Sequence, residues 1–178
     1  MGTETLFTKR LILSLPKVSD ATEVLAIAGD RRAVEYNPSD LLFDQHEATE
    51  LLARWIQHWN KHGFGYWCVR LDSRDRLIGY CGIKKMTNHG RPVLNLIYRF
   101  SPEAWGNGYA TEAGAAIVAW ASQQLPGQTV IARVRPDNLT SQKVAHKLGL
   151  HRDPELDEQG KDGIDLAFSN RLGPVHPI

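Results

Sequence analysis

The chain has 178 residues, 42% of them hydrophobic and 23% charged, with a formal net charge of +1 at pH 7. That balance suits one folded domain with a sizeable core and excludes chain-wide disorder. It also gives no bulk reason to expect nucleic acid, since attraction to phosphate needs a marked or clustered positive excess; the basic pairs Lys9-Arg10, Arg31-Arg32 and Lys84-Lys85 read as solvated surface.

No apolar run approaches the roughly 18 residues of a membrane span, and the N-terminus lacks an apolar signal core, so the expected location is the cytoplasm. Cys68 and Cys81 lie in apolar, strand-like runs and have neither metal-ligand nor disulfide spacing. They read as buried free thiols.

In chain order, "RLILSL" (Arg10 to Leu15) predicts a first strand closed by Pro16, followed by a short helix from Asp20 to Ala28 capped by Ser19 or Asp20. "FDQHEATELLARWIQHWNKHG" predicts a longer helix. Asp44 and Glu47 stand in capping-box spacing, and Ala48, Leu51, Leu52, Trp55 and Trp59 keep a helical period up to Gly63. "GYWCVRL" and "RLIGYCGIKKM", joined by the polar turn "DSRD", and then "VLNLIYRF" after the turn "NHGRP", predict an antiparallel meander of three strands. Ala110, Ala113, Ile117, Trp120 and Ala121 mark a helix ending before Pro126. "TVIARV" is a strand, "NLTSQKVAHKLG" a helix opening at Asn138 and ending at Gly149, and "GIDLAFS" a last strand. No repeat or linker interrupts residues 1–178, which read as one α/β domain.

The stretch "SPEAWGNGYATEAG" places Gly106 and Gly108 immediately before a helix. A helix N-terminus offers unpaired N–H groups and about half a positive charge, and glycines before it let a phosphate approach with no Cβ in the way. The competing reading is a tight strand-to-helix turn that needs glycine for its dihedrals alone. A P-loop is excluded because no Gly-Lys-Ser/Thr triplet is present. The dinucleotide fingerprint fails because Thr111 stands at its third glycine, and the following strand ends in Arg133 and Arg135 instead of an acid.

"AWGNGYATEA" resembles the acyl-CoA pyrophosphate loop of the GCN5-related N-acetyltransferases (GNAT), particularly the branch of ribosomal-protein alanine and serine acetyltransferases; Trp105 replaces the family's Gln/Arg. "RPDNLTSQKVAHKLGL" is similar to the family's Asn-x-x-Ser helix leading into Leu-Gly-Phe. The order of strands and helices is also the family's. The resemblance implies an α/β (α+β) fold: a mixed, mostly antiparallel sheet flanked by about four helices and splayed between the family's fourth and fifth strands, here 93–100 and 129–134. It implies acetyl-CoA as co-substrate, with Tyr98, Arg99 and Phe100 offering backbone groups to the pantetheine. Trp105, Gly106, Asn107, Gly108, Tyr109, Ala110 and Thr111 would form the pyrophosphate loop. Asn138 would bond the pantetheine or cap its helix, and Lys143 would reach the 3′-phosphate.

The tyrosine that many members carry on the Asn138 helix, as acid for the departing thiolate, aligns with Ala145; Ser141 is the replacement, with helix capping its other role. The family's strand glutamate, a general base, aligns with Asn95. Glu103 points to solvent, and Glu112 suits the first helical turn as a structural carboxylate. His58 and His62 stand at i, i+4 with no third ligand, so no metal is expected. Tyr36, Phe43, Trp55 and Trp59 are candidates for the acceptor pocket, core packing being the tryptophans' alternative, and "VEYNPSDLLFDQH" is the expected specificity loop. The acceptor is a primary amine: a protein N-terminal α-amine or, alternatively, a small-molecule amine. A non-catalytic acyl-CoA-binding domain is the rival from another class. Nucleic acid and membrane are not expected partners, and the chain is expected to be a monomer or homodimer.

Overall fold

The computed structural model describes residues 5–71 and 76–171; the predicted "DSRD" turn lies outside the described residues. Thirteen elements follow one another: β1 (Leu6–Phe7), β2 (Leu11–Ser14), α1 (Ala21–Ala28), α2 (Gln45–His62), β3 (Tyr66–Leu71), β4 (Leu77–Asn88), β5 (Arg91–Phe100), α3 (Tyr109–Gln124), β6 (Val130–Val134), α4 (Leu139–Lys147), β7 (His151–Arg152), β8 (Glu158–Gly160) and β9 (Gly163–Ser169). All the predicted strands and helices are present. β1, β7 and β8 are additions, each too short to show a period-2 signal in sequence.

The sheet runs β1-β2-β3-β4-β5-β6-β9-β7, with β8 pairing β9 off that path. Every pairing is antiparallel except β5 with β6, whose parallel alignment requires the crossover that α3 supplies. Alternation along the strands sorts side chains to two faces. Trp67, Val69, Leu94 and Leu96 pack with Ile117 and Trp120 of α3 and Ala145 of α4. Cys68 and Tyr80 pack on the other face with Val24 of α1 and Leu52 and Trp55 of α2. The sheet is therefore covered on both sides, and each helix pair faces its own core.

Local chemistry sets the helix limits. The Asp44 carboxylate accepts from the Glu47 N–H at 2.9 Å, and Glu47 reaches back to the Phe43 N–H at 2.7 Å. Gly63 stops α2 at φ 72°, a left-handed conformation that glycine adopts without penalty. Cys68 and Cys81 are fully buried free thiols, and burial pushes both pKa values up.

Candidate active site

The gap in the sheet has a definite geometry. β5 and β6 pair at Leu94↔Val130, Asn95↔Ile131 and Leu96↔Ala132, and pairing stops there, although β5 continues to Phe100. The Leu94 N–H donates to Thr129 O and the Ser101 N–H to Ile78 O. Even-numbered residues of β5 therefore turn their backbone groups toward β6, and odd-numbered residues toward β4. Beyond Leu96, Tyr98 and Phe100 face the gap. Arg99, expected among the residues offering backbone to a pantetheine, does not: its main chain pairs with Tyr80 of β4, and its side chain enters the opposite face. The Phe100 carbonyl already accepts from the Trp105 indole at 3.0 Å, which pins the loop to the strand end.

At the mouth of the gap, α3 begins. Gly106 and Gly108 have φ of 78° and 77°, and Gly108 is the N-cap with no side-chain bond. Residues 105–108 are exposed, and a Cβ on Gly106 would meet nothing within 4 Å. The Asn107 amide donates to Ala104 O and Trp105 O, holding the loop's curl. Glu112 is the first residue whose N–H bonds back, to Gly108 O, so the N–H groups of Tyr109, Ala110 and Thr111 have no partner inside the helix. Three amides at the positive end of a 16-residue helix thus stand beside the exposed backbone of Gly106 and Gly108.

Arg10 joins this site, although sequence reasoning placed it in the solvated surface. Its guanidinium lies 4.7 Å from the Tyr109 ring centroid and 2.6 Å from Glu112 Oε2, and Nη2 comes within 3.7 Å of a Cβ built on Gly108. Glu112 also accepts from the Thr8 hydroxyl at 2.6 Å and the Arg10 N–H at 2.9 Å, so it ties the β1–β2 hairpin to α3. Burial works to raise its pKa, but the bonds from Thr8 and Arg10 prevail and hold it below the usual glutamate value. No local signal could have found Arg10, because its partners lie about a hundred positions downstream.

Across the gap, the Asn138 Oδ1 caps α4 by accepting from the Ser141 N–H at 3.0 Å. Its amide nitrogen has no partner among the described residues, so capping leaves a donor free. Ser141 is the residue capped, and its hydroxyl makes no hydrogen bond among the described residues. The Tyr98 hydroxyl crosses from β5 to donate to Ser141 O at 2.9 Å, and burial pushes its pKa above that of an ordinary phenol. Ala145 is fully buried, and Lys143 is exposed.

The opposite face of the gap holds a cavity of about 370 Å³, with Asp40, Arg54, Trp55, Tyr80, Arg99 and Lys161 in its lining. Trp55 packs edge-on against Tyr66 and tilted against Tyr80, with centroids 5.4 and 4.8 Å apart. Arg99 donates to Asp40 at 2.8 Å and to the Tyr80 hydroxyl at 3.3 Å; these partners outweigh burial and keep it charged. Ser39 bonds Asp162 through its N–H at 3.1 Å and its hydroxyl at 2.6 Å, joining the Pro38–Asp40 turn to the β8–β9 turn.

Of the expected acceptor residues, Trp55 lines this cavity. Tyr36 and Phe43 lie outside it, Phe43 with 73% of its surface exposed. Trp59 also lies outside, donating to Tyr66 O at 2.9 Å and packing edge-on to Trp67. His58 shares a hydrogen bond with Phe64 O at Nδ1 (2.7 Å) and accepts from the Lys85 N–H at Nε2 (3.2 Å), so both ring nitrogens are engaged. Asn95, at the family's base position, has its Oδ1 buried without a partner.

A mixed sheet that parts after one parallel ladder, with a glycine-led helix N-terminus at the opening, is the arrangement that the sequence resemblance implies. The acetyltransferase (GNAT) domain model matches residues 10–151. The chain is 30% identical over 112 residues to the uncharacterized protein YkkB of Bacillus subtilis (strain 168), a match covering 62% of this chain and 64% of that protein. It is 27% identical over 146 residues to the uncharacterized N-acetyltransferase YnaD of the same organism, covering 82% of each. A crystal structure of an acetyltransferase from Agrobacterium tumefaciens str. C58 superposes with a TM-score of 0.80 at 24% identity, covering 97% of this chain and 96% of that one. Ribosomal-protein alanine and serine acetyltransferases are among the solved structures that share the fold. The chain belongs to the GNAT acetyltransferase family, whose members use acetyl-CoA.

Proposed function

We propose that this protein is an acetyl-CoA-dependent N-acetyltransferase that acetylates a primary amine by direct attack on the thioester. The observation that carries the reading is the set of unpartnered amides of Tyr109, Ala110 and Thr111, opening onto bare backbone beside the unpaired end of β5. Those amides hold the diphosphate, with the Arg10 guanidinium at their side. The backbone of Tyr98 and the free Asn138 amide nitrogen hold the pantetheine, and Lys143 meets the 3′-phosphate. Acetyl-CoA supplies the activated acyl group.

This chain's residues bind, orient and move protons. The amine enters from the α1–α2 side, where Trp55 walls the cavity. Its proton leaves through cavity water, because Asn95 has no basic atom and Asp40 is committed to Arg99. On the other side of the gap, Ser141 and Tyr98 carry hydroxyls, joined through the Tyr98 bond to Ser141 O, that can return a proton to the departing thiolate. Burial keeps Tyr98 protonated and therefore able to donate.

Release of free thiol from acetyl-CoA, measured against a panel of amines and short peptides, tests the proposal. Amine-dependent release with one acetylated product per thiol is expected. Binding of acetyl-CoA with no turnover across the panel would replace the enzyme with a binding domain, the reading that Asn95 at the base position favours.

A further inference from the structure

The charges around the acceptor cavity are one-sided. Arg54 from α2, Lys84 from β4, Arg99 from β5 and Lys161 from the β8–β9 turn all line it, and Asp40 is its one lining carboxylate. Among the lining residues four cations stand against one anion, an excess of three in a chain whose whole formal net charge is +1; the Asp162 carboxylate, bonded to the lining Ser39, stands outside the lining. Asp40 is already neutralised by Arg99 at 2.8 Å. Arg54, Lys84 and Lys161 are exposed and have no ion-pair partner among the described residues. They come from three separate elements, so no single solvated helix face explains the convergence. Like charges held around one concavity repel each other and focus a positive potential into it. A polyamine or other purely cationic acceptor meets that potential as a barrier.

Resting on the acetyl-transfer reading above, we infer that the acceptor is a small primary amine that also carries an oxyanion, a carboxylate or a phosphate. The amine points at the gap and the anion lies against Arg54, Lys84 and Lys161. The size of the cavity supports a small molecule: about 370 Å³ suits a compact ligand. A peptide threading between the Pro38–Asp40 turn and the β8–β9 turn would have to break both bonds of Ser39 to Asp162.

The test compares amines in matched pairs at saturating acetyl-CoA and low salt: 4-aminobutyrate with butylamine, O-phosphoethanolamine with ethanolamine, with putrescine and an acidic tripeptide alongside. The anion-bearing member of at least one pair is expected to have a kcat/KM about 10-fold or more above its neutral partner, as rim charges around a cavity deliver. The pair showing the larger ratio separates carboxylate from phosphate. The double variant Arg54→Gln/Lys161→Gln should raise the KM of the anionic amine about 10-fold and leave that of its neutral partner within about twofold. Lys61→Gln, on α2 but outside the cavity, should change neither. Equal or better turnover of the neutral or cationic amines, an unmoved KM in the double variant, or a preference for the tripeptide over both small acids overturns the inference.

If no amine releases thiol, the acetyl-transfer reading fails by itself, and calorimetric titration of the CoA-loaded protein with the same pairs decides the anion preference. Anion-dependent binding weakened by the double variant keeps the inference. Binding that ignores the anion, or no binding, ends it.

Discussion

The two sides of the β5 gap are built from different material. On the α3 side the site is main chain: three amides, two glycines with positive φ, and the unpaired backbone of Tyr98. On the α2 side it is side chain: Trp55, the Arg99–Asp40 pair and three unpartnered cations drawn from separate elements. A main-chain site is generic, because any residue supplies an N–H, and it is constrained mainly by where a Cβ is forbidden. A side-chain site is particular, because each member can be replaced without disturbing the backbone. Under the proposed function, the fold would keep one grip for the common co-substrate and leave the other wall free to vary with the acceptor.

Substitutions that separate the two sides test this contrast. The largest effect is expected at the main-chain site. Gly108→Val puts a β-branched residue at φ 77°, which costs roughly 1–2 kcal/mol of stability. It also sets a side chain in the space over the amides. The KM for acetyl-CoA should rise about 10- to 100-fold while the KM for the amine holds, since losing one or two charge-assisted hydrogen bonds has that size; steady-state kinetics on the folded variant reads both. An amine KM that moves instead would merge the two sides into one.

The next effect lies at the junction between them. Ser141→Ala and Tyr98→Phe should each lower kcat, with the residue that returns the thiolate proton costing about 10- to 1,000-fold and the other much less. Single-turnover kinetics with both variants shows which hydroxyl it is. Two kcat values like the wild type's would remove both from proton transfer and leave Ser141 as the capped residue of α4.

The smallest effect belongs to His58, in the lining of the α2-side cavity. Burial first, then the nearby His62 and Lys84, keep its pKa below 6.5, although the bond to Phe64 O works the other way. The folded state therefore binds fewer protons here than the unfolded chain. The contribution is fully present above pH 6.5 and is lost as the pH falls through the lower folded value. His58→Ala should cost about 1 kcal/mol by leaving Phe64 O and the Lys85 N–H to water, and should flatten the acid limb of stability against pH in chemical denaturation. An unchanged acid limb would place the titrating group elsewhere.

The same contrast explains what could be read in advance. Gly106, Gly108, the Asn138 cap and the Asp44–Glu47 cap are local patterns, whose chemistry acts within a few residues, and each was legible as written. Glu112 was legible as a first-turn carboxylate, but its anchor was not, because Thr8 and Arg10 lie more than a hundred positions away. The Ser39–Asp162 latch spans 123 positions and the Tyr98–Ser141 bond 43, so neither leaves a periodic or local trace. Arg99 shows a subtler limit. Its position at the strand end suggested a backbone role, yet the parity of the β5 ladder turns its main chain away from the gap, and parity is invisible until the register is known. Tyr36 and Phe43 are acceptor candidates on aromatic character alone, which does not say which way a loop residue points.

The central claim is that main-chain amides at the start of α3 hold a diphosphate, and calorimetric titration with CoA, 3′-dephospho-CoA, 4′-phosphopantetheine and pantetheine tests it most directly. Dephospho-CoA should bind within a few-fold of CoA, because Lys143 is an exposed contact. 4′-Phosphopantetheine, which keeps one phosphate, and pantetheine, which keeps none, both lack the adenosine; pantetheine should bind about 100-fold more weakly than 4′-phosphopantetheine, the worth of two charge-assisted hydrogen bonds at about 1.5 kcal/mol each. Pantetheine binding as tightly as 4′-phosphopantetheine would contradict the account.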